Sequence, residues 1–157
     1  KALPRHLELL DLAFAWARAV RPEQPLTAGL RSPDRELNAR LVARSDIVTF
    51  HCYDGPGRLE ALIGRLRRHG RPAICTEYMA RPLGSTFQGC LPVFLRERVS
   101  CHNWGLVNGR TQTHIAWTGE EDVWFHDILR PDGSPYDEGE VALIRRLTGA
   151  ARTSQCR

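Results

Sequence analysis

The sequence predicts an α/β fold of the (β/α)8 barrel type, with about half of the barrel present in 157 residues. Three observations lead there. Short β-branched or aromatic runs alternate with amphipathic helical stretches, which implies a parallel sheet with helices outside. The expected strand ends, Leu30, Tyr53, Glu77 and Trp104, lie 23, 24 and 27 residues apart, the spacing of a strand–helix unit. No GxGxxG or GxxxxGK[ST] loop follows any strand, which removes the main support for a doubly wound nucleotide-binding sheet. Four such units with a leading helix make half of an eightfold barrel, since a whole one needs roughly 250 residues.

The elements follow in order. Leu7, Leu10, Phe14 and Ala17 recur at helical spacing and predict a helix over 6–20, stopped at Arg21-Pro22. Leu26–Leu30 is a short strand. Ser32-Pro33 has the form of an N-cap with proline at the first helical position, and Leu37, Leu41 and Val42 give that helix its apolar stripe. Asp46–Tyr53 is a buried strand. Leu59, Leu62, Ile63 and Leu66 mark the next helix, ended by Gly70. A strand over 72–77, a helix through Phe87, Leu91, Phe94 and Leu95, a strand within 99–107, and a helix through Val141, Ile144 and Leu147 stopping near Gly149 complete the chain.

Composition narrows the function classes. The 42% hydrophobic and 25% charged residues are those of a soluble globular domain. No apolar run is long enough for a membrane span. The formal net charge of +4 is small. Arg58, Arg65, Arg67, Arg68 and Arg71 cluster around one helix, which reads as a solvated face rather than a nucleic-acid patch. The five cysteines are odd in number and form no CxxC pair. That argues against a disulfide framework and a structural zinc site, and leans towards a reducing, cytoplasmic compartment. Cys75 and Cys101 sit in apolar surroundings with no activating base. Lys1 is not Met, and no signal peptide is visible. With the half-barrel period, this leads us to expect a truncated natural start.

Chemistry in such a fold sits where strands end. The second strand ends in His51 and Tyr53, two residues apart and so on one face. The third ends in Glu77, a carboxylate directly after a buried run. Asn103 and Trp104 close the fourth. A carboxylate, a histidine, a tyrosine and a tryptophan on one rim suit sugar chemistry. The indole offers a flat face to a pyranose ring, and the carboxylate can attack an anomeric carbon.

The segments TFHCY, GRPAICTEYMARPLGSTF, NWGLVNGRTQT, WFHDILRPDGSPY and EVALIRRLTG, in that order, resemble the C-terminal half of clan A glycoside hydrolases, family 5 and related cellulase or β-mannosidase types. The resemblance implies strands five to eight of the barrel, with retaining hydrolysis of a β-mannoside or β-glucan. By the same resemblance Glu77 is the nucleophile, Tyr53 its hydrogen-bond donor, and His51 a neighbour in the same subsite. Trp104 is the platform under the sugar, with Asn103, Arg81, Gln112 and Trp117 along the rim. The acid/base Glu of this clan, after an Asn on strand four, has no counterpart here, so the chain alone is expected to be inactive. No metal, cofactor, nucleic acid or membrane is implied. The other reading is a non-catalytic half-barrel that binds carbohydrate or a partner chain. Unpaired strand edges in a half-barrel predict self-association.

Overall fold

The computed structural model describes residues 3–119 and 124–154, so Lys1 and Cys156 lie outside it. Its elements are α1 (Leu3–Ala19), α2 (Arg35–Arg44), β1 (Val48–Cys52), α3 (Pro56–Leu66), β2 (Ala73–Tyr78), α4 (Phe87–Glu97), β3 (Ser100–Asn103) and α5 (Glu138–Ser154). The three strands form one parallel sheet in the order β1-β2-β3. It is an open sheet alternating with helices, not a closed barrel.

The first expected strand shrinks to one bridge, Leu30 to Phe50. Leu30 N donates to Thr49 O at 2.8 Å, and His51 N donates to Leu30 O at 3.1 Å. Upstream of Leu30, side chains capture the backbone donors a ladder would use. Leu26 N donates to Asp46 Oδ2 and Ala28 N to Ser45 Oγ. The cap of α2 also differs from expectation. Asp34, not Ser32, accepts the N–H groups of Glu36 and Leu37, because a carboxylate one position before the helix outcompetes a more distant hydroxyl. Ser32 instead accepts from Asp34 N. Gly70 ends the α3 region in the left-handed conformation, φ +63°, as its residue type allows. α5 runs through Gly149 to Ser154. A glycine in a helix costs only about 1 kcal/mol and did not stop it.

One face of the sheet carries the core. Phe50, Cys75 and Tyr78 meet Leu59 and Ile63 of α3, with Phe94 of α4 beside them. Each fully buried large side chain contributes on the order of 1.5–3 kcal/mol. Tyr78 packs edge-on to Phe87 and Phe94, with ring centroids 5.9 and 4.9 Å away. α3, α4 and α5 pack in succession, and α1 packs on α2. Arg40 and Arg44 of α2 both pair with Asp11 of α1, at 2.8 and 3.1 Å. Such exposed pairs add little stability but fix the register of the two helices. Among the described residues no helix is long and apolar enough to cross a membrane. Cys52, Cys75, Cys90 and Cys101 are free thiols.

Candidate active site

Strict alternation along β2 would send Glu77 to the same side as Cys75, into the helix layer. The structure avoids this with a bulge. Phe50 pairs with Cys75, but the next residue of β1, His51, pairs with Glu77. Thr76 is the extra residue, and it returns Glu77 to the face shared by His51 and Tyr53. Tyr78 then falls back on the core side, opposite Cys52. The bulge is what turns a strand-end glutamate into a site residue.

Three groups converge as a result. The Tyr53 hydroxyl donates to Glu77 Oε2 at 2.7 Å, and His51 Nδ1 lies 3.0 Å from the same oxygen. Among the described residues no hydrogen bond is made to Oε1. The Glu77 and His51 side chains each keep close to a quarter of their surface open. Burial, together with the hydrogen bond to Glu77, pushes the Tyr53 hydroxyl far above the usual phenol range, so it stays a donor. Gly29 borders the His51 ring. A Cβ there would stand 3.2 Å from Nε2, so a larger residue would crowd the imidazole.

The other expected residues divide. Trp117 packs edge-on against Tyr53 at 4.9 Å and is 57% exposed. Trp104 follows β3 and donates its backbone N–H to Tyr78 O at 2.9 Å. With Tyr78 opposite both Cys52 and Asn103, this puts Tyr53, Glu77 and Trp104 at the same end of the sheet. The Trp104 indole is 45% exposed. Asn103 Nδ2 donates to Gly105 O, which shapes the turn after β3. Gln112 is exposed in the turn that begins at Gly109, with φ +55°. Among the described residues no hydrogen bond joins it to Glu77.

Arg81 is engaged within the chain. Its Nε and Nη2 bind Glu140 of α5, and its remaining N–H groups reach the carbonyls of Trp124, Phe125 and Asp127. All five donors are engaged, and its side chain is only 14% exposed. Arg81 ties α5 to the loop after β3 and has no donor left for a sugar.

The chain matches no family model and no curated protein.

Sequence reasoning assigned no role to His126 and Asp127. His126 is buried beside the site, its ring 5.5 Å from those of both Tyr53 and Trp117. Its Nδ1 meets the carbonyl of Met79, and its Nε2 is buried without a partner. Burial holds its pKa below the usual histidine value, so the ring is neutral, with the proton on Nδ1 facing the carbonyl. Met79, two residues after Glu77, is fully buried at φ +87°. For a non-glycine residue that is strained backbone, held by His126 on its carbonyl and by Ser85 Oγ on its N–H. Asp127 is fully buried and accepts from Thr113 Oγ1 at 2.6 Å. The only sequence signal for this pair was a His-Asp step directly after two aromatics, Trp124 and Phe125.

Proposed function

We propose that this chain is part of a retaining β-glycosidase, with Glu77 as the nucleophile. The supporting observation is the pairing of Tyr53 and His51 on a single oxygen of Glu77, Oε2. Two neighbours on one oxygen orient the carboxylate and leave the lone pairs of the other directed at a reacting carbon. In this reading Oε1 attacks the anomeric carbon, forming a glycosyl ester as the leaving-group oxygen departs. Water then cleaves the ester, with net retention. The exposed indoles of Trp104 and Trp117 offer apolar faces to the pyranose ring, and the substrate is of the β-mannoside or β-glucan type.

A retaining enzyme also needs a second carboxyl group about 5–5.5 Å from the first. Asp54 pairs with Arg58, Glu140 with Arg81, and Asp127 with Thr113. In this proposal the acid/base belongs to the other half of a (β/α)8 barrel, whose strands would cover the open face of the sheet. The one-sided helix layer and the sequential parallel strand order support that arrangement.

The test exploits a leaving group that needs no acid. The chain is incubated with a dinitrophenyl β-mannoside or β-glucoside bearing fluorine next to the anomeric carbon, which slows breakdown of the ester. Mass spectrometry should find one fluoroglycosyl group on the peptide containing Glu77, and none in Glu77→Gln. Labelling at another residue, or equal labelling of Glu77→Gln, removes Glu77 from the role.

A further inference from the structure

The arginine cluster around α3 does not behave as one solvated face. Arg58 pairs with Asp54 at 3.5 Å and Arg67 with Glu97 at 2.6 Å. Arg71 donates to the carbonyls of Val42 and Ser45. Arg65 and Arg68 have no such partner among the described residues, and both line a groove of about 920 Å³ between α2 and α3. From the opposite wall Arg31 and Arg35 face the same groove. They too form no ion pair among the described residues. Arg35 sits in the first turn of α2, where the helix dipole disfavours a cation. Four arginines against one carboxylate, Asp54, give the lining a formal charge of 4 − 1 = +3, histidines left out of the count. Like charges gathered along one groove repel one another until an anion enters.

The floor says which kind of anion. It is aliphatic, with partly exposed Leu30, Val42 and Leu62 over the buried Phe50. The rings that line it are the buried Phe50 and the imidazoles of His51 and His69, so it offers no exposed Trp, Tyr or Phe as a stacking platform for nucleobases. An apolar floor between cationic walls fits a helix with aliphatic side chains on one face and carboxylates along its flanks. We infer that the α2–α3 groove is a docking site for an acidic amphipathic helix of a partner protein. The groove borders the Glu77 site, since His51 lines it and the Arg31 guanidinium lies 5.8 Å from the Tyr53 ring centroid, but the inference does not depend on the Glu77 chemistry.

The probe is a fluorescein-labelled synthetic peptide of about four helical turns, leucine along one face and glutamate along both flanks, titrated with the 157-residue chain and followed by anisotropy. Saturable binding is expected, weakened at least about tenfold by Arg65→Glu/Arg68→Glu and, on the other wall, by Arg31→Glu/Arg35→Glu. Arg145→Glu/Arg146→Glu on α5 removes the same charge elsewhere and should leave the affinity unchanged. Replacing the peptide's leucines by serine should abolish binding. Circular dichroism checks that each variant is folded, and the single Arg68→Gln, at an exposed position, serves if a double variant is not. Unchanged affinity in the folded groove variants overturns the inference. So does equal affinity of the serine peptide, or of a heparin fragment or single-stranded DNA of the same charge, because the groove would then be a general polyanion surface.

Discussion

At the scale of single residues, the site depends on one oxygen. Tyr53 donates to Glu77 Oε2, and His51 stands against the same atom. A hydrogen bond to a charged group is worth on the order of 1.5–3 kcal/mol. Tyr53→Phe removes it while keeping the ring that packs on Trp117 and His126. The expected outcome is a slower reaction of Glu77 with the fluorinated glycoside, by roughly tenfold to a hundredfold, with the thermal midpoint little changed. A labelling rate in Tyr53→Phe equal to that of the parent chain contradicts the orienting role. Glu77, Tyr53 and His51 were legible in the sequence because each ends or follows an apolar run. The partners of Arg81 were not legible, for a physical reason. An arginine three residues past a strand looks like a rim residue, and its carboxylate partner, Glu140, lies 59 positions away, beyond the reach of any local pattern. His126 was missed on the same ground, since its partner is the Met79 carbonyl, and backbone acceptors leave no trace in composition.

At the scale of elements, periodicity located the five α-helices of the described residues and three of the four expected strands. It did not reveal the bulge at Thr76, because a bulge is a property of two strands in register, and Phe50–His51 reads the same with or without it. The reduced first strand has a similar origin, as Asp46 and Ser45 take the N–H groups of Leu26 and Ala28. Two glycines separate local from tertiary demands. Gly64 lies inside α3 with nothing within 4 Å of a Cβ. Gly64→Ala should raise stability by about 0.5–1 kcal/mol through helix propensity and the unfolded chain. Gly105 has φ +87°, and a Cβ there would stand 2.5 Å from Asp127 Oδ1 and 2.9 Å from His126 Cβ. Gly105→Ala therefore combines left-handed strain with a clash against buried groups, and a loss of roughly 2 kcal/mol or more is expected. Urea denaturation of the two variants checks both signs. A neutral Gly105→Ala would mean that the turn after β3 does not press on the His126-Asp127 step.

At the scale of the whole molecule, protonation and exposure each set a limit on the folded state. Burial pushes the Cys75 thiol and the Tyr53 and Tyr78 hydroxyls above their usual ranges, and Cys101 up to about 11. The unfolded chain loses these protons from about pH 8.5 for thiols and about pH 10 for phenols. The native state then holds more protons, so its stability is complete below those values and falls as pH rises through them. His126 acts in the opposite sense. It is buried neutral, and the unfolded chain takes up a proton below about pH 6.5, so stability falls as pH drops. A plateau between about pH 6.5 and 8.5 is expected in chemical denaturation, and stability still rising at about pH 10 would contradict the alkaline limb. Exposure sets the second limit. Helices cover one face of the sheet, while Ser100 and His102 of the edge strand β3 are open on the other. Leu9, Leu12 and Trp16 of α1, with Val20 just past its end, recur at helical spacing and are 58%, 42%, 60% and 78% exposed. An uncovered edge strand and an apolar helical stripe both favour association. Sedimentation velocity of the chain should therefore show a weight-average mass that grows with concentration. Leu12→Lys/Trp16→Glu, which interrupts the stripe without touching the buried Leu7 and Phe14, should reduce that growth. A mass that stays at 17.8 kDa over a hundredfold concentration range (about 3 kcal/mol of dilution) would show that neither surface drives assembly.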